Sequence, residues 1–106
     1  MHAAHAVPAG WVTWLDESTL VCRCEEVPAR AVTAAVEELG ATQARTVKQL
    51  ARPGMGWCQG RTCGYAVAEL TARACGRPVT REDLAAYAQR PLATPVRLGD
   101  LAGEAE

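Results

Sequence analysis

The chain has 106 residues and a formal net charge of −1, enough for a single core, in a size range where a metal or disulfide often supplies part of the stability. Basic residues outnumber acidic ones between Arg45 and Arg90, but aromatic residues are only 5% of the chain; that is too few for base stacking, so no nucleic-acid partner is expected and the charge is assigned to an anionic group or an acidic protein face. No stretch has the length and hydropathy of a membrane span or the basic-then-apolar start of a secretory signal, which leads to the expectation of a cytoplasmic protein whose thiols stay reduced.

Residues 1–18 read as a lead-in broken by Pro8 and Gly10, with Trp11 and Trp14 available for docking and His2 and His5 in a terminal tail. Thr19 to Val27 reads as an extended piece, in which Cys22 and Cys24 project to one side and Arg23 to the other. Pro28 is expected to open a first helix with Val32, Val36 and Leu39 inward and Gly40 as its stop. Thr42 is a candidate cap for a second helix with Ala44, Val47, Leu50 and Ala51 inward. Pro53, Gly54 and Gly56 then break the chain into a loop whose glycines let backbone N–H groups approach sulfur. A third helix is expected from Arg61 to Cys75, with Ala66, Val67, Leu70 and Ala74 inward and Gly76 as its stop. Cys63 would lie in its first turn, where the helix dipole favours a thiolate. Thr80 to Asp83 resembles a capping box with Asp83 in the place of the usual Glu, opening a fourth helix with Leu84, Tyr87 and Ala88 inward. Residues 91–106 read as an extended tail, and residues 19–90 as the folded unit.

Four of the five cysteines fall into two pairs, Cys22-x-Cys24 and Cys58-x4-Cys63, with 33 residues between the pairs. An odd cysteine total suits a disulfide framework poorly. Zinc takes all-cysteine sites too, but usually from C-x2-C knuckles; neither pair has that spacing. A 4Fe–4S cluster lacks its tight repeated run here, whereas a 2Fe–2S cluster takes four thiolates, two per iron. The spacing therefore favours one 2Fe–2S cluster per chain, on Cys22, Cys24, Cys58 and Cys63, provisionally with one sequence pair per iron. Arg23 and Arg61 lie within the pairs, where they either offset the anionic cluster or remain solvated. Gln59, Gly60 and Thr62 fill the second pair, and for Gln59 and Thr62 the alternatives are a bond to sulfur or plain loop and capping polarity. Cys75 stands apart, as a small apolar side chain rather than a fifth ligand. Trp57 either packs or meets a partner.

The wording VCRCEEVP, then GMGWCQGRTCG, resembles the bacterioferritin-associated-ferredoxin-like 2Fe–2S domain family. It is most similar to the version found with flavin-dependent enzymes such as opine oxidase, hydrogen cyanide synthase and multi-subunit amino-acid dehydrogenases. The resemblance covers about Leu20 to Arg90, together with the tail RPLATPVRLGDLA. It implies the same four ligands and a small all-α fold of about four short helices, in which two helix–turn–helix units bring the cysteine loops to one surface. It further implies an electron-transfer subunit without catalytic residues of its own, relaying single electrons within a hetero-oligomer whose FAD sits on another subunit. The iron-storage branch carries a closer C-x2-C second pair, unlike this chain. Three readings stay open beside it: a stand-alone ferredoxin for iron storage or another reductase, a zinc-stapled interaction module without a redox role, and a basic helix–turn–helix with structural cysteines.

Overall fold

A computed structural model describes residues 4–88 and 98–103. A 3-10 helix over Ala9–Trp14 leads into a hairpin of β1 (Leu20–Cys22) and β2 (Val27–Pro28). The helices α1 (Ala29–Glu37), α2 (Ala44–Ala51), α3 (Gly64–Ala74), α4 (Arg81–Ala88) and α5 (Leu98–Gly103) follow. The all-α expectation holds in outline, the helices dominating, and that short two-stranded hairpin is the departure from it. The strands run antiparallel, with Leu20 opposite Pro28 and Cys22 opposite Val27. Pro28 has no N–H to extend the ladder, and the chain reverses between them with Glu26 at φ 52°. Cys24 therefore sits in a turn, not in an extended run beside Cys22.

Pro28 precedes α1 as its cap residue, in extended geometry, rather than forming its first turn. Ala29, Val32 and Ala35 give α1 its buried stripe, while Leu39 lies beyond the last turn and is 62% exposed. Gly40 ends the helix as expected: its N–H reaches the Val36 carbonyl, and the Ala41 N–H reaches Ala35. This is the paired closure that a left-handed residue permits. Gln43, not Thr42, caps α2 and makes no side-chain bond there. Ala44 and Val47 are buried, but Leu50 on the same helix is exposed. α3 starts at Gly64, three residues later than Arg61, because Cys58 to Cys63 is taken up in turns closed by Arg61 N–H to Cys58 O and Gly64 N–H to Gly60 O. Its inner face is Val67, Ala68, Leu70 and Thr71; Ala66 and Ala74 are only half-buried. Gly76 closes it with a tighter pair of bonds, its own N–H reaching the Arg73 carbonyl and the Arg77 N–H reaching Ala72.

Val32, Val47 and Val67 are fully buried and come from α1, α2 and α3. Each contributes about 1.5–3 kcal/mol by leaving water. α3 lies at the centre of the molecule, touching α1, α2 and α4. The lead-in is less detached than expected: Trp11, Val12 and Leu15 pack against this core, and the Trp11 ring lies 6.5 Å from that of Tyr65. Trp14 and His5 are exposed. In the tail, residues 98–103 are helical instead of extended. Residues 91–97 and 104–106, like His2, lie outside the described residues. Among those described, no helix is long and apolar enough to cross a membrane.

Candidate metal centre

All five cysteines are free thiols. Cys22 ends β1 and is buried; Cys24 lies exposed in the hairpin turn, Cys58 half-exposed in the second loop, and Cys63 buried immediately before α3. The fold couples them across the two loops. Cys63 lies within reach of Cys22 and also feels the charge of Cys58, and Cys58 lies within reach of Cys24. Each couple thus takes one sulfur from the hairpin and one from the second loop. Among the described residues, no three His, Cys, Asp or Glu side chains gather as the ligand sphere of a single ion would.

Backbone donors converge on these sulfurs. Gly54 gives its N–H to Cys22 Sγ at 3.4 Å, the approach that the glycine-rich loop leads one to expect. The Thr62 N–H and hydroxyl both lie towards Cys58, as does the Gly60 N–H. Those Thr62 donors are the main reason that the Cys58 thiol is pulled down to about 6, with Cys24 and Gly60 assisting and burial opposing. Cys63 moves the other way, pushed up to about 11, first by burial and then by the charge of Cys22. The helix dipole expected to favour its thiolate is outweighed by desolvation.

Gln59, at φ 53°, donates to the Gly56 carbonyl at 2.9 Å, and its side chain thus ties the loop to itself. Arg61 donates to the Cys58 carbonyl at 3.3 Å; both it and Arg23 are exposed. Cys75 lies with its thiol 3.7 Å from the Ala41 carbonyl, at the end of α3, where it donates to backbone and joins neither couple. Trp57, next to Cys58, is 97% exposed. An ion pair of 3.1 Å between Arg52 and Glu25 links the hairpin turn to the second loop.

Two contributors have no sequence signal. A side chain at Gly56 would overlap the Cys24 Cβ, so the loops cross here with backbone against side chain. Tyr87, read from sequence only as an apolar residue of α4, is buried at the junction of the loops and donates its hydroxyl to the Pro53 carbonyl at 2.6 Å. A surface hollow of about 570 Å³ is bordered by Val12, Leu15, Arg30, Ala34 and Leu70 and includes no cysteine.

The donor set suits an iron–sulfur group: four soft thiols, two of them buried, with N–H groups turned towards sulfur. The sequence matches the family described as BFD-like [2Fe-2S] binding domain over residues 20–73. It is 35% identical over 102 residues to the opine oxidase A subunit of Rhizobium meliloti, covering 96% of this chain and 19% of that one. Against the opine oxidase A subunit of Agrobacterium tumefaciens (strain Ach5) it is 42% identical over 84 residues, 79% of this chain and 16% of that. The A subunit of the anaerobic glycerol-3-phosphate dehydrogenase of Escherichia coli (strain K12) is 41% identical over 64 residues, 57% of this chain and 12% of that. The chain thus spans less than a fifth of the length of these relatives. No solved structure matches it.

Proposed function

The chain belongs to the BFD-like [2Fe-2S] binding domain family, and from that premise we propose that it is a one-electron carrier holding a 2Fe–2S cluster on Cys22, Cys24, Cys58 and Cys63. The observation that carries this reading is that the second loop closes on the hairpin at the cysteines, the Gly54 N–H reaching Cys22 Sγ at 3.4 Å and Gly56 lying against the Cys24 Cβ, which brings Cys22 towards Cys63 and Cys24 towards Cys58. Two couples of sulfurs are what two irons require. The proposed division therefore gives each iron one sulfur from each loop.

When bound, such a cluster accepts and releases one electron at a time. The residues of this chain set the terms of that exchange. The N–H groups of Gly54, Gly60 and Thr62 offset negative charge on sulfur and so favour the reduced state. Cys22 and Cys63 exclude water on the buried side, while Cys24 and Cys58 leave the other side open for transfer. We assign the chain to a complex with an FAD-bearing oxidase or dehydrogenase subunit, because its relatives are named as A subunits of an opine oxidase and a glycerol-3-phosphate dehydrogenase. The substrate chemistry would belong to that flavin subunit.

Anaerobic reconstitution with iron and sulfide tests the proposal. Two irons and two acid-labile sulfides per chain, visible absorption, and a rhombic electron paramagnetic resonance signal appearing only on reduction are expected. Bound zinc without sulfide would overturn it. Co-purification from the native host with a flavin-containing chain is the expected second result; a haem-containing iron-storage shell would instead transfer the ferredoxin to that partner.

A further inference from the structure

Tyr87 lies on α4, beyond residue 73 where the family match ends. Its side chain nevertheless meets both halves of the second cysteine loop. A methyl group at Gly60 would come within 2.6 Å of the ring, one at Gly64 within 2.8 Å, and one at Gly54 would fall on the hydroxyl. Three glycines, before Cys58, between Cys58 and Cys63, and after Cys63, are thus laid against one aromatic face. The hydroxyl donates to Pro53, next to the Gly54 whose N–H bonds Cys22. Lys48 of α2 caps the ring from 5.8 Å, and the hydroxyl also reaches Cys63.

We propose that Tyr87 is the positioning residue that holds the loops in ligating register: its ring is the floor on which Gly54, Gly60 and Gly64 rest, and its hydroxyl fixes the Pro53–Gly54 turn. The inference rests on the cluster reading for its purpose, but the contacts it is argued from need no cluster to be present. Without the ring, the atoms nearest to Gly54, Gly60 and Gly64 on that side are gone. The Gly54 N–H would then lose its aim at Cys22, and Cys63 would lose its cover.

The test compares Tyr87→Leu, Tyr87→Phe and a core control, Val32→Ala, in the whole chain. After reconstitution, Tyr87→Leu should lose its visible absorption to a chelator about tenfold faster than wild type, with Val32→Ala, a comparable or greater loss of packing, changing the rate by no more than about twofold. Tyr87→Phe, which keeps the floor and removes the hydroxyl bond, should restore retention while altering the visible circular dichroism of the cluster. A second measurement needs no cluster: alkylation of Cys63 in the metal-free protein, mapped by mass spectrometry, should accelerate about tenfold in Tyr87→Leu and not in Val32→Ala. Equal behaviour of Tyr87→Leu and Val32→Ala in the alkylation measurement overturns the inference. Failure of wild type to take up a cluster would sink the electron-carrier reading instead, and the alkylation result would still decide the role of Tyr87.

Discussion

Gly56 shows how much of this site is decided by single residues. A Cβ there would overlap the Cβ of Cys24, so Gly56→Ala must displace the exposed member of one thiol couple while leaving the buried core of Val32, Val47 and Val67 untouched. Iron content after reconstitution should fall to less than about half of wild type, with helicity by circular dichroism retained. Backbone strain gives a second prediction. Glu26, Arg52 and Gln59 are the non-glycine residues with positive φ among those described, and all three lie in or beside the cysteine loops. Glu26 is exposed, and its left-handed conformation costs about 1 kcal/mol. Glu26→Gly should therefore raise the melting temperature by a few degrees, about 4–8 °C per kcal/mol for a domain of this size. The cysteine pairs and the glycine-rich loop were legible in the sequence because spacing and residue type alone carry their chemistry. Tyr87 and the crossing at Gly56 were not, since each is a contact between residues some thirty positions apart. The same distance hid the coupling of Cys22 with Cys63.

At the scale of elements, stops were easier to read than faces. Gly40 and Gly76 both close helices where expected, because the left-handed geometry is a local property. Leu39 and Leu50, expected inward, are exposed: α1 ends at Glu37, and the inner face of α2 is made by Ala44 and Val47 with Ala51 packed beside them. The hairpin was missed as a hairpin because its strands are three and two residues long, too short to show alternation. The start of α4 was legible in detail. Asp83 accepts two bonds from Arg77, at 2.6 and 2.9 Å, and one from the Thr80 N–H, while its own N–H goes to the Thr80 hydroxyl. Arg77 also reaches the Thr42 carbonyl, so this box fastens α4, and Tyr87 with it, to the segment before α2. The hydrogen bonds from Arg77, opposed by burial and supported by Thr80, hold the Asp83 carboxyl well below its ordinary value of 3.8. A depressed folded-state pKa contributes stability that is present above the unfolded value and lost as pH falls through the folded one. Asp83→Ala should therefore destabilise by about 2 kcal/mol at pH 7, and thermal melts of variant and wild type should draw together as the pH is lowered below about 4. A gap that stays constant down to pH 3 would assign the effect to packing.

For the molecule as a whole, the described core is built from valines, alanines and a few larger side chains, around two loops that contribute backbone and thiols more than apolar area. Such a core leaves much of the stability to whatever joins the loops, and ligation by four thiolates couples binding directly to folding. Cys58→Ser, which removes one ligand from the open couple, should lower helicity and melting temperature together, the latter by more than about 10 °C relative to the reconstituted wild type. Unchanged circular dichroism in the metal-free protein would instead place the folding energy in the helices. The outer face yields the complementary experiment. Trp57 is 97% exposed immediately before Cys58, so its truncation removes almost no buried area and should leave both cluster content and melting temperature unaltered. A large indole standing in water beside the open thiol couple is what an anchor for a partner protein looks like before it binds. If the proposed flavin subunit is the partner, Trp57→Ala should therefore slow electron delivery from its reduced form by about tenfold or more, as an anchor worth at least about 1.4 kcal/mol would, read as the concentration dependence of cluster reduction in stopped flow. A loss confined to subsaturating concentrations marks a docking role, whereas an equal loss at saturation would place the indole in the transfer step itself.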